Sequence, residues 1–92
     1  MTDHLLTANV IAQIKQNYPP GTRIQLIHME DNWAVPPGIR GTVDLVDDIG
    51  SIHLKWDNGR SLAIVPQVDE FRKLTEQELR EEQGIRMEEQ TL

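Results

Sequence analysis

Cysteine is absent from the 92 residues. That excludes a disulfide framework, a thiolate zinc site and a cysteine nucleophile, and it fits a reducing, cytoplasmic setting. Aromatics are scarce: two Trp, one Tyr and one Phe. No apolar run approaches the roughly 18 residues of a membrane span. The start, Met-Thr-Asp-His, has no basic stretch, so no signal peptide is expected. Bases are outnumbered, nine Lys and Arg against fifteen Asp and Glu. Six of the acids (Glu76, Glu78, Glu81, Glu82, Glu88 and Glu89) follow Leu74, opposed only by Arg80 and Arg86. A nucleic-acid binder shows a net basic footprint. This chain does not, and its small basic set (Arg23, Arg40, Lys55, Arg60) leaves nucleic-acid binding disfavoured.

What is present is the patterning of one small domain. Leu6, Val10, Ile11, Ile14 and Tyr18 form a single stripe at helical spacing over residues 2–18. Thr2 or Asp3 is the expected N-cap, and Pro19-Pro20-Gly21 the stop. Such a helix is expected to pack on the domain or on a second copy of the chain. Period-two alternation then marks strands in "TRIQLIH" (22–28), "GTVDLVD" (41–47), "SIHLKW" (51–56) and "RSLAIV" (60–65), with a fifth short piece in "VDEFRKL" (68–74). Ile24, Leu26, Val43, Leu45, Ile52, Leu54, Trp56, Leu62 and Ile64 are placed inward. Asp48-Ile49-Gly50 and Asp57-Asn58-Gly59 are short hairpin loops, and Gly59 supplies the positive φ that a three-residue loop with a bulge needs. A long first loop (29–40), a tight meander and a brief Pro66 crossover give the layout of an SH3-like five-stranded small barrel. Thr75-Glu76-Gln77-Glu78 is a capping box with Leu74 and Leu79 at staple positions, so a C-terminal helix is expected. The organisation is therefore an N-terminal amphipathic helix (1–18), a barrel (19–74) and an acidic helix or tail (75–92), with the acids of the tail facing solvent.

Chemistry-bearing constellations are few. His4, His28 and His53 share no ligand spacing, so no metal is expected. The pairs Glu30-Asp31 and Asp47-Asp48 are adjacent in loops and do not face each other across a cleft; Asp47 and Asp48 suit turn capping. Ser51 and Ser61 have no nucleophile-elbow context, and no glycine-rich loop cradles a phosphate. Neither catalysis nor a cofactor is expected. Two places remain as candidate binding surface. One is the long loop, with Met29, Asp31, Trp33, Pro37 and Arg40; its competing use is to fold back and cover one end of the barrel. The other is the hairpin tip, with Trp56, Asp57, Asn58 and Arg60.

The pieces "PPGTRI", "HMED", "PPGIRGTV", "VDDIG", "WDNGRSLAIVP" and "VDEF", in order over residues 18–71, resemble the small bacterial and phage family catalogued as DUF4314, with the two terminal helices outside the resemblance. Members of that family often read Pro-Gly-Val-Asp where this chain has Pro66-Gln67-Val68-Asp69. "PPGIRGTV" is also similar to the strand start of KOW-type barrels, which bind RNA or protein. The resemblance implies a phage or mobile-element protein with no assigned activity. The expected function is a non-catalytic interaction module that engages a protein through the 29–40 loop and the 56–60 hairpin. Asp31, Asp57 and Arg60 would orient the partner and the two tryptophans supply apolar area. The alternatives are a binder of a nucleotide-derived immune signal, stacking on Trp33 or Trp56 with Arg40 or Arg60 on a phosphate, and an inhibitor of a host defence nuclease. A homodimer through the terminal helices is a further expectation.

Overall fold

The computed structural model describes residues 7–29 and 35–91, with side chains to residue 84. Seven elements follow in chain order: α1 (Ala8–Asn17), β1 (Arg23–His28), β2 (Arg40–Val46), β3 (Ile52–Trp56), β4 (Ser61–Ile64), β5 (Glu70–Lys73) and α2 (Glu76–Thr91). The chain is mainly β, one antiparallel five-stranded sheet in the order β4-β3-β2-β1-β5 with a helix at each end.

Helix α1 is capped by Thr7, whose hydroxyl accepts from the Val10 N–H at 3.2 Å, in place of the Thr2 or Asp3 expected from sequence. Thr7 is itself extended (φ −72°, ψ 160°), the backbone a cap needs. The helix ends at Tyr18, just before Pro19, as expected. It buries no residue fully; Ile14 and Tyr18 pack against the core, and the Tyr18 ring tilts against Phe71 at 5.6 Å.

The two hairpin loops have one chemistry. Gly50 (φ 91°) and Gly59 (φ 90°) occupy the left-handed position of each. Asp47 N–H donates to the Ser51 carbonyl at 3.0 Å and Trp56 N–H to the Arg60 carbonyl at 2.8 Å, which closes both loops. Asp47 also accepts from the Ile49 and Ser51 N–H groups, and Asn58 accepts from the Arg60 N–H.

The core is one cluster of Ile24, Leu26, Met29, Val35, Val43, Ile52, Leu54, Trp56 and Ile64 on one face of the sheet. Leu45 is the exception to the expected inward set: it is half exposed. The β2–β3 register shifts between Val43 and Leu45. A bulge adds one residue and reverses the phase beyond it, so Val46 packs against the core and Leu45 turns out. Met29 and Val35 are buried, so the start of the long loop and its middle are each pinned into the core.

Strands β4 and β5 are the two edges, yet only residues 65–69 join them. Flat, the edges would be about 19 Å apart at normal strand spacing. The link contains a full turn, with Val68 and Asp69 N–H both on the Val65 carbonyl, and is too short for that span. The sheet therefore curls. No β4–β5 ladder closes it among the described residues; within the crossover the buried Asp69 carboxylate accepts from the Val65 N–H at 2.8 Å, and Pro66 has no N–H to give.

Candidate functional site

With the apolar side chains turned to the core, alternation leaves Arg23 and Gln25 of β1, Thr42 of β2, Lys55 of β3 and Arg72 of β5 on the opposite face. The register makes them neighbours: Arg23 opposes Thr42, Thr42 opposes Lys55, and Gln25 lies between Arg40 and Arg72. Helix α2 lies over this face. Its entry is the expected capping box: Thr75 N–H donates to Glu78 Oε1 at 2.8 Å, and Glu78 N–H to Thr75 Oγ1 at 3.1 Å. One turn later Glu82 falls on the same side of the helix.

These two glutamates meet three guanidinium groups. Arg23 grips Asp57 with both Nη atoms at 2.8 Å. It also reaches Glu82 through Nε at 3.2 Å and Nη2 at 2.8 Å, and Thr42 Oγ1 through Nη1 at 3.1 Å, so all five of its N–H groups are engaged. Arg40 holds Glu82 at 3.0 Å and lies 3.5 Å from Glu78. Arg72 forks onto Glu78 at 2.8 and 2.7 Å and donates to Gln25 Oε1 at 2.6 Å. The Arg72 pair holds the Glu78 carboxyl down to about 2, with the Thr75 N–H assisting. Arg23, and then Arg40, likewise lower the Glu82 carboxyl. Asp57 and Glu82 raise the Arg23 guanidinium. A cleft of about 490 Å³ opens beside the network, lined by Gly21, Arg23, Thr42, Asp57, Leu79, Glu82 and Gln83. Of the described acids of the tail, Glu78 and Glu82 are thus docked, while Glu76 and Glu81 are exposed as expected.

The residues expected to bind separate into three groups. Met29 and Trp56 are core; the Trp56 indole N–H donates to the Leu62 carbonyl at 3.0 Å. Arg40 and Asp57 belong to the charged network. Pro37, Asn58 and Arg60 are exposed. Asp31 and Trp33, one or the other of which was expected to share a binding surface with Arg60, lie outside the described residues. The exit of the long loop does meet the hairpin tip: Asp57 N–H donates to the Arg40 carbonyl at 2.9 Å. Sequence reasoning missed Arg72, Gln25, Thr42 and the role of Glu78 and Glu82 beyond the cap. The available signals were their outward strand positions and the four-residue spacing of the two glutamates.

Away from this face, His53 Nε2 and Asp47 Oδ2 pair at 2.8 Å, which lowers the Asp47 carboxyl below its ordinary range. Lys15 of α1 ties to Asp48 of the β2–β3 loop at 2.9 Å. Among the described residues, no three His, Cys, Asp or Glu side chains converge as metal ligands, and no helix is long and apolar enough to cross a membrane.

None of the curated protein sequences matches the chain. The family model described as "Domain of unknown function (DUF4314)" matches residues 7–74. The match takes in α1, which the sequence resemblance had left outside, and it stops at Leu74, where α2 is about to begin. Over that span, most of its length, the chain belongs to the DUF4314 family.

Proposed function

We propose that this chain is a non-catalytic protein-binding module built on an SH3-like barrel left open between its edge strands. Its recognition edge is where the 57–60 tip meets the exit of the long loop. The supporting observation is the Asp57 N–H to Arg40 carbonyl bond, which joins two segments far apart in sequence into one edge presenting Pro37, Asn58 and Arg60 to solvent. Strand order supports the SH3-like reading: a β2-β3-β4 meander, with β1 pairing both β2 and β5. The family resemblance adds a phage or mobile genetic element as the setting and the host cytoplasm as the place. Nucleotide stacking on Trp56 has no geometric support, since the ring is 1% exposed. The test is affinity capture from host cells with the wild-type chain and with Arg60→Glu, paired with a thermal melt. A protein enriched by the wild type and lost with a variant of normal melting temperature supports the module. Equal enrichment by both chains, or a thermal shift with a nucleotide in its place, refutes it.

A further inference from the structure

We propose that the arginine face of the sheet is a docking site for an acidic helical segment of a partner protein, with α2 as its built-in occupant. The site is Arg23, Arg40 and Arg72 with Gln25 and Thr42. The ligand is a helix that presents two carboxylates four residues apart. It adjoins the 57–60 edge, with which it shares Asp57 and Arg40, and it is tested separately.

Helix α2 shows what the face accepts. Glu78 and Glu82, one turn apart, take up donors from three strands. These charges are the described side-chain contacts of the helix with the strands, and Leu79, the single apolar residue among its described side chains, is half-buried. The pairs are reachable by water, with side-chain exposures of 18% for Arg23, 30% for Arg40 and 41% for Arg72. Pairs that water reaches are screened by salt, so an occupant held by them loosens as salt rises. The face lies inside the family-matched residues, and the helix lies beyond them. Charge separates at the same boundary. Residues 7–74 carry eight acids against seven bases, whereas 75–92 carry six acids against two.

A helix fits better than a nucleic acid. Asp57 sits inside the face, gripped by Arg23. It interrupts the run of positive charge that a phosphate backbone follows, while discrete carboxylate forks remain satisfied around it. A partner helix must compete with a tethered α2, whose effective concentration is about millimolar. The chain therefore binds only a segment that outmatches its own, or one met at high local concentration.

The test uses the full chain and a fluorescent peptide of residues 75–91. Glu78→Gln with Glu82→Gln removes both charges from α2, and Gln retains the capping box. The double variant is expected to bind the peptide about tenfold more tightly than the wild type. Binding should weaken as salt is raised and be lost when Arg40→Ala is added. Unlabelled peptide in excess should also speed hydrogen exchange of the 76–84 amides in the wild-type chain, a readout that needs no variant to fold. Equal peptide binding by wild type and double variant, or unaltered exchange, overturns the proposal. Capture of a single-stranded oligonucleotide where the peptide fails also overturns it, in favour of nucleic acid.

Discussion

Replacing Gly41 by alanine isolates one close packing contact. Gly41 lies on β2 opposite Trp56. A Cβ there falls 2.8 Å from Trp56 Cε3, 3.1 Å from the Lys55 carbonyl oxygen and 3.2 Å from Trp56 Cα. Two of these three atoms are backbone of the neighbouring strand and cannot rotate away. The ring cannot easily retreat either, being 1% exposed with its N–H bound to the Leu62 carbonyl. Gly41 is not among the glycines of positive φ, so conformation does not require it. Backbone entropy alone would make alanine here a gain of about 0.5–1 kcal/mol. Overpacking costs about 1–3 kcal/mol, so the net loss is expected at about 1–2 kcal/mol. For a domain of this size that lowers Tm by about 5–15 °C. Urea denaturation followed by circular dichroism measures it, and a cycle with Trp56→Phe assigns it. With the smaller ring, part of the cost of Gly41→Ala should disappear, giving a coupling above about 0.5 kcal/mol. A neutral or stabilising Gly41→Ala, or strict additivity with Trp56→Phe, would refute steric exclusion by the indole.

Gly59→Ala tests the opposite cause, because no atom lies within 4 Å of a Cβ there while φ is 90°; the loss should be about 1 kcal/mol, and an unchanged urea midpoint would contradict it. Thr75→Ala removes the 3.1 Å cap on Glu78 N–H and should cost about 0.5–2 kcal/mol with a loss of helical dichroism; an unaltered spectrum and midpoint would mean that the arginines hold α2 without the cap. Trp56→Ala should cost about 3–5 kcal/mol as a fully buried ring, measured in the same titration. The docked carboxylates give a pH dependence. Glu78 sits at about 2 when folded against an ordinary 4.5, and Glu82 is lowered in the same direction. Between those values the unfolded chain binds more protons, so the stabilisation from Glu78 is complete above about 4.5 and is lost as pH falls towards 2. NMR titration of the Glu78 carboxyl carbon checks this, and an unshifted midpoint would contradict it.

Most of the strand plan was readable because its determinants are local. Alternation in "IHLKW" maps directly onto the buried, exposed, buried pattern of β3, and each hairpin glycine occupies the position that its loop length requires. Leu45 was misplaced because a bulge depends on the partner strand: nothing in "GTVDLVD" says that the β3 side supplies one residue fewer. Alternation and hairpin spacing left a closed and a half-closed barrel equally open, and the choice between them was out of reach, because it depends on how the two edge strands meet and not on any local pattern.

The charged face shows where such reading stops and what would extend it. The box Thr75–Glu78 predicts that α2 starts where it does, because both partners lie within one turn. It does not say in which direction the helix leaves β5, and that direction decides whether Glu82 meets solvent or Arg23, 59 residues away. Composition alone favoured solvent, since most charge runs face water. Yet alternation already placed Arg23 outward on β1, and the period of "EFRK" gives the same side to Arg72 when Phe71 is taken as the inward anchor. Two arginines turned outward from adjacent strands of a net acidic chain need counter-charges. Helix α2 enters two residues after β5 with carboxylates one turn apart. A short connection restricts the helix to the neighbourhood of the strand it leaves, so the acids with the least freedom to go elsewhere are those of its first two turns. Glu78 and Glu82 are therefore the pair that connection length selects.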